Sequence, residues 1–487
     1  MAKYIINADI EKSVIAKEIY GNFAEHLGRC VYEGLWVGRD SDIQNVNGMR
    51  TDVVEALKKM KLPVLRWPGG CFADTYHWMD GVGDSSKRKR IVNVHWGDTV
   101  EDNAFGTDEF LELCRQIGCE PYICGNVGSG TVQEMQEWVE YVNSTGTPMS
   151  DLRVENGHTE PYGVKYWGVG NENWGCGGHM TPEFYADQYK RYAGYLHNYS
   201  QKLYKIACGA NATDYNWTKV MMEKVPARMM DGLALHYYTH NRGFNNHATE
   251  FGEKEWASVL SRTLKMEELV IRHGTIMDVY DPDKKVALIV DEWGTWYNVE
   301  EGTHPSFLYM QDTMRDAIVA GINLNIFNNH SDRVRMANIA QLANVLQAVV
   351  LTDKEKMVLT PTFHVFEMYS VHQGATLVDA HMLCGSYENE ELSMPKVNHS
   401  ASIGADGKLN ITLCNLDPNA AEVVECDIRG MEYKSVSGRV LTAPLNAYND
   451  FDKDEVVYPV KFENAKIENG KLIIDLPAKS VVVLSVE

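Results

Sequence analysis

The chain has 487 residues, 44% of them hydrophobic and 23% charged, which is enough for one large globular domain and a smaller one. Its formal net charge of −21 repels nucleic-acid phosphates and anionic lipid, and weakly disfavours acidic sugars such as uronates. No stretch approaches the roughly 18 consecutive apolar residues of a membrane span, and the opening Met1–Ile10 lacks an apolar signal core, so the expected location is the cytoplasm.

In chain order, Tyr4–Ala16 reads as one or two strands. Short β-branched runs then recur between amphipathic segments, at Ile19–Phe23, Val64–Trp67, Pro121–Cys124, Val164–Val169, Lys205–Cys208, Gly232–His236, Val286–Val290 and Asn323–Phe327. Helices are expected over Val53–Met60, Val132–Val142, Trp256–Ile271, Phe307–Ala320 and Ile339–Val349. Thr107 is placed to cap a helix that Gly118 ends, and Thr181-Pro182-Glu183 is a cap followed by proline at the first helical position. Eight strands alternating with helices predict an α/β fold of the (β/α)8 TIM-barrel type, with long strand-to-helix loops such as Arg66 to Thr107 building a site on one face. A doubly wound dinucleotide fold would want G-x-G-x-x-G after the first strand, and none is there.

Beyond Thr376 the pattern changes to alternating runs, Lys408–Cys414, Ala421–Ile428, Lys471–Leu476 and Val481–Val486, punctuated by Asp406-Gly407 and Asn469-Gly470. This predicts a C-terminal antiparallel, jelly-roll-like β-sandwich that also takes in the N-terminal strand. The expected division is 1–18 for the strand joining the sandwich, 19–375 for the barrel and 376–487 for the sandwich.

The ten cysteines form no CxxC pair, and Cys114, Cys119 and Cys124 are too loosely spaced for a zinc knuckle. They are expected to be reduced thiols. In a cytoplasm the sequons at Asn143 and Asn211 are chance matches. A metal-dependent hydrolase would want His-x-His after the first strand, where the chain has Glu25-His26-Leu27. Gly177-Gly178 lacks the Lys-Ser/Thr of a phosphate loop. No cofactor and no metal are expected.

The informative residues are Glu172 in Gly-Val-Gly-Asn-Glu-Asn and Glu292 in Leu-Ile-Val-Asp-Glu-Trp-Gly, each where an apolar strand runs out. In a barrel the strand ends face the active site, and strands four and seven can present two carboxylates across a bound sugar, the minimum equipment for cleaving a glycosidic bond. One Glu at a strand end is by default a solvated loop residue. Here the neighbours argue otherwise: Asn171 beside Glu172, Arg66 ending strand two before Pro68-Gly69-Gly70, and His236-Tyr237-Tyr238 ending strand six. Such groups hold a carboxylate ionised and correctly turned. Trp67 and Trp293 are assigned to barrel packing. Trp96 and Trp296 sit further out and are expected to wall the sugar subsites.

Four blocks resemble the signatures of glycoside hydrolase family 51: Gly21–Arg29, Leu65–Asp74, Gly170–Trp174 and Asp291–Gly294. Most members of that family are α-L-arabinofuranosidases, so the resemblance implies an exo-acting, retaining enzyme that takes α-L-arabinofuranosyl residues from short imported oligosaccharides. It implies Glu172 as acid/base and Glu292 as nucleophile. Glu25, Asn171, Tyr238 and Gln341 would contact the furanose or orient the carboxylates, Arg66 would support the nucleophile, and Trp96 and Trp296 would flank the leaving group. Cys71 stands where some members have Asn and is placed with the substrate-binding residues. With Cys176 it is expected to make activity sensitive to thiol reagents. A homo-oligomer, often a hexamer, is also implied. The rivals are a β-xylosidase or endo-β-glucanase on the same barrel, and a non-catalytic sugar-binding protein, which would have no use for both supported glutamates.

Overall fold

The computed structural model describes every residue except Arg242 and Phe244. Eight parallel strands close a barrel in chain order: Gly21–Phe23, Val64–Trp67, Glu120–Gly125, Tyr166–Val169, Tyr204–Asn211, Gly232–Thr239, Ala287–Thr295 and Val334–Ala340. Barrel strands are covered on both faces, which explains their unbroken apolar runs; Ala287–Thr295 is buried along its whole length. Below the site the lumen is filled by Val64, Tyr122, Tyr166, Ile206, Ala234, Ala287, Ile289 and Met336, so the barrel is a packed core with one working mouth.

The helices begin where the capping chemistry puts them. Thr181 Oγ1 accepts from the Phe184 amide at the start of Pro182–Tyr195, and Thr131 with Glu134 forms a capping box ahead of Val132–Asn143. Gly118, at φ 84°, ends Thr107–Ile117; the residue preceding that helix is Gly106, so Thr107 is its first residue and not its cap.

Four expected elements differ from the structure. The eighth barrel strand is Val334–Ala340, whereas Asn323–Phe327 lies inside the helix Met314–Asn329. That helix is buried from Met314 to Asn328 because it is wedged between barrel and C-terminal sheet. A helix buried on every side loses the 3.6-residue signal and imitates a buried strand. The expected helix at Ile339–Val349 is the end of that last strand and the loop after it, and the one expected at Phe307–Ala320 begins only at Met314. The segment read as a single helix from Trp256 to Ile271 is two, Glu253–Thr263 and Lys265–Tyr280.

The C-terminal region is a ten-stranded sheet, and the N-terminal strand Ala2–Val14 lies inside it, antiparallel to Thr376–Leu383 and parallel to Glu422–Arg429. Strands from both halves of the sheet share one core, including Tyr4, Ile6, Leu409, Ile411, Leu413, Val424, Leu472 and Leu484, so the sheet rolls over itself. The helix Met314–Asn329 ties the two regions together. Its Asn325 donates to Asn398 Oδ1 (2.8 Å) and accepts from Thr412 Oγ1 (2.7 Å), and Asn329 donates to the His399 carbonyl (2.8 Å). No helix among the described residues is long and apolar enough to cross a membrane.

Candidate active site

The strand ends deliver the carboxylates as side chains of opposite walls. Glu292 lies in the last part of the seventh strand, level with His236 on the sixth. Glu172 follows the fourth strand at φ 42°, a left-handed conformation that costs a non-glycine residue on the order of 1 kcal/mol. The turn is held by its surroundings: Gly170 precedes it at φ 87°, and the Asn171 amide donates to Asp74 Oδ2 (2.9 Å). One carboxylate oxygen of Glu172 and one of Glu292 lie within 4.8 Å of each other.

Glu292 is fixed at both oxygens. Arg66 Nη1 donates to Oε1 (3.0 Å) and Tyr238 Oη donates to Oε2 (3.0 Å). The buried Arg66 guanidinium also donates to Asn171 Oδ1 (2.5 Å) and to the Asp291 carbonyl (2.9 Å), and lies over the Phe23 ring. It therefore ties the second, fourth and seventh strand ends into one unit. Burial raises the pKa of the Glu292 carboxyl, with the charge of Glu172 adding to the rise and His236 and Arg66 opposing it.

His236 sits between the carboxylates. Its Nδ1 is 2.9 Å from Glu172 Oε1 and 3.4 Å from Glu292 Oε2, and its Nε2 is 3.2 Å from Asp291 Oδ1. Burial alone would lower its pKa, but the charge of Glu292 and the bonds to Asp291 and Glu172 push it up to about 10. Both ring nitrogens thus face carboxylate oxygens, an arrangement that favours the protonated imidazole. Asp291 accepts as well from Tyr122 Oη (2.7 Å), and although burial pushes its pKa up, Arg66 and His236 hold it below the usual value.

Glu25, after the first strand, accepts from the Phe72 amide (3.0 Å), Trp96 Nε1 (2.9 Å) and Gln341 Nε2 (3.0 Å). Burial nonetheless raises its pKa to about 7, and the charge of Glu292 adds to the rise. Gln341 Oε1 is buried with no hydrogen-bond partner among the described residues, leaving an acceptor for a ligand hydroxyl. Gly70 clears the ground between these groups: a Cβ there would lie 3.1 Å from both Glu25 Oε2 and Glu292 Oε1.

All of this opens into a cavity of about 1000 Å³ lined by Glu25, Cys71, Trp96, Glu172, Tyr238, Glu292, Trp296 and Gln341 among others. Arg66, Asn171 and His236 stand behind the carboxylates. Trp296 meets the Tyr238 ring edge-on at 5.1 Å. Trp67 and Trp293 are fully buried in the barrel wall. His26 is buried too, its ring bonded by Trp67 Nε1 (3.1 Å) and facing Glu101 (2.9 Å), so it is a packed core histidine.

One expectation is overturned. Cys71 and Cys176 are not free thiols; they form a disulfide across the loops after the second and fourth strands, and the remaining eight cysteines are free. The partners are 105 residues apart and meet only because both loops converge over Glu172, so their spacing carries no signal. In this form neither sulfur is available to a thiol reagent. Two sets of ligand-type atoms lie within 4.8 Å of one another among the described residues: Cys71, Glu172 and Cys176, and Glu172, His236 and Glu292.

Comparison with known proteins identifies the family. Residues 56–256 match the α-L-arabinofuranosidase 1 domain and residues 291–480 the α-L-arabinofuranosidase C-terminal domain. The chain is 50% identical to an intracellular exo-α-L-arabinofuranosidase of Bacteroides ovatus, over 100% of this chain and 96% of that one. It superposes on the crystal structure of the GH51 arabinofuranosidase from Xanthomonas axonopodis pv. citri with a TM-score of 0.98 at 46% identity, covering 100% and 99% of the two chains. The chain belongs to the α-L-arabinofuranosidases of glycoside hydrolase family 51. An arabinose complex of the α-L-arabinofuranosidase from Thermotoga maritima is also similar, with a TM-score of 0.89 at 32% identity over the full length of both chains.

The structure adds site residues that the sequence alone did not single out. Asp291 and Tyr122 back His236 and Arg66 from within the barrel. Asp74 collects the amides of Val127 (2.8 Å), Gly128 (2.7 Å) and Asn171 (2.9 Å), joining the second, third and fourth loops; burial raises its pKa to about 7. Both aspartates lie inside the family-like blocks, at the end of Leu65–Asp74 and the start of Asp291–Gly294, so position within a motif was the available signal.

Proposed function

We propose that the chain is an exo-acting, retaining α-L-arabinofuranosidase that releases terminal non-reducing α-L-arabinofuranosyl residues from arabinan- and arabinoxylan-derived oligosaccharides in the cytoplasm. The observation that carries the retaining reading is the separation of the carboxylate oxygens, within 4.8 Å. Retaining pairs stand about 5–5.5 Å apart, whereas inverting pairs need about 6.5–9.5 Å to admit a water. The exo and intracellular parts draw on the Bacteroides ovatus relative, whose name carries both words.

In this reading Glu292 is the nucleophile and Glu172 the acid/base. Arg66 and Tyr238 hold one Glu292 oxygen each, which aims the carboxylate and keeps negative charge on it in a buried place. Glu292 attacks the anomeric carbon while Glu172 gives its proton to the departing oxygen, forming a covalent arabinosyl-enzyme. Glu172 then takes a proton from water as that water displaces Glu292. Glu25, Gln341 and Cys71 border the furanose, Asn171 orients the carboxylates from behind, and Trp96 and Trp296 flank the leaving group. A homo-oligomer, a hexamer by family resemblance, belongs to the same reading.

The test is hydrolysis of 4-nitrophenyl α-L-arabinofuranoside beside the β-xyloside and β-glucoside, with the anomer first released followed by NMR. Fast turnover of the arabinofuranoside, α-arabinose as first product and loss of turnover in Glu292→Ala are expected. Release of β-arabinose would overturn double displacement, and turnover of another glycoside alone would move the substrate.

A further inference from the structure

We propose that Cys71, Cys176 and Glu172 form a redox-gated site for a thiophilic divalent cation such as zinc: with the disulfide closed the site is shut, and on reduction the two thiolates and the carboxylate capture the ion. Capture would silence the enzyme, a consequence that rests on the reading of Glu172 as acid/base; the capture itself does not.

The two sulfur–oxygen edges already lie near the length that a tetrahedral site needs. Glu172 Oε2 is 3.6 Å from Cys176 Sγ and 4.0 Å from Cys71 Sγ. Zinc–sulfur bonds of about 2.3 Å and zinc–oxygen bonds of about 2.0–2.2 Å give a tetrahedral sulfur–oxygen edge of about 3.6 Å. Only the two sulfurs, bonded in the oxidised form, must part, to about 3.8 Å. The Cα atoms are 5.6 Å apart, on two loops that leave separate strands, so that opening needs side-chain rotation more than backbone movement. The other Glu172 oxygen is anchored by His236 Nδ1 (2.9 Å), the outer support that metal-ligating carboxylates use. Both cysteines are half-buried and Cys71 lines the cavity, so a reductant and an ion can reach them and water can fill the fourth position.

The redox step balances with a phosphine. The sulfur–sulfur bond breaks, the phosphorus is oxidised to phosphine oxide with oxygen from water, and the two hydrogens of that water end on the thiols. Zinc binding then releases both thiol protons. A reducing cytosol, the location proposed above, would keep the pair in its metal-competent form.

The experiment treats the full-length protein with a phosphine reductant, desalts it without air and titrates zinc chloride. Hydrolysis of 4-nitrophenyl α-L-arabinofuranoside and zinc retained through gel filtration are read together, beside unreduced protein and reduced Cys176→Ser. Reduced wild type is expected to retain about one zinc ion per chain more than either control, and to be inhibited, reversibly by a chelator, at about 10–100-fold lower zinc. Each protein is compared with its own metal-free rate. Equal retention and equal inhibition with and without reduction would overturn the site. Retention without inhibition would uphold the site and overturn the role of Glu172.

Discussion

Asp291 faces His236 from behind, its Oδ1 3.2 Å from Nε2, while the opposite nitrogen of the same ring lies 2.9 Å from Glu172 Oε1. An aspartate that never reaches the cavity thereby sets the charge that both site carboxylates feel. Asp291→Asn should remove one charge-assisted hydrogen bond, worth about 1.5–3 kcal/mol, from the imidazolium. That is about one to two pH units off the His236 pKa, which stands at about 10. The pH at which the His236 ring loses its proton, followed by NMR, should therefore move down by that amount. A packing defect alone would lower the rate at every pH and leave that titration in place.

Glu172→Ala should separate substrates by leaving group. Nitrophenolate departs without a proton, but a sugar alkoxide does not, so loss should reach about 10²–10⁴-fold on arabino-oligosaccharides and be far smaller for the first step on the aryl glycoside. Added azide should rescue the aryl reaction by replacing the activated water. Equal losses on both substrates would count against Glu172 as the acid.

Seven of the eight barrel strands were legible because they are short, mostly buried apolar runs, and the two glutamates because they end such runs among Gly, Asn and Trp. Legibility failed at Asn323–Phe327 for a related reason. The helix Met314–Asn329 is buried on all sides between barrel and sheet, so it lost the amphipathic period and passed for a strand. The Cys71–Cys176 bridge and the Asp291–His236–Glu172 chain were illegible in another way. Both depend on which loops and strand ends meet in space, and no spacing along the chain encodes that.

Tyr238→Phe keeps the ring against Trp296 and removes only the hydroxyl that donates to Glu292 Oε2. Arg66 still holds Oε1, so the fold and substrate affinity should survive. The cost should be about 1.5–3 kcal/mol, a fall of about 10–150-fold in kcat. A large change in KM with kcat preserved would show that the hydroxyl serves the sugar and not the carboxylate.

Glu25 gives a stability prediction with a definite sign. Its folded pKa is raised from 4.5 to about 7, so between those values the folded chain keeps a proton that the unfolded chain has released. Stability must then fall as pH rises through that window, by up to about 1.4 kcal/mol per pH unit for one group. Urea unfolding of Glu25→Gln at a series of pH values should show a slope shallower by that amount, while Asp74, also raised to about 7, keeps part of it. Above pH 7 the two slopes should converge, because Glu25 is then ionised in both states. Identical slopes from pH 4.5 to 7 would mean that Phe72, Trp96 and Gln341, which all donate to this carboxylate, outweigh its burial and keep it ionised in the folded enzyme.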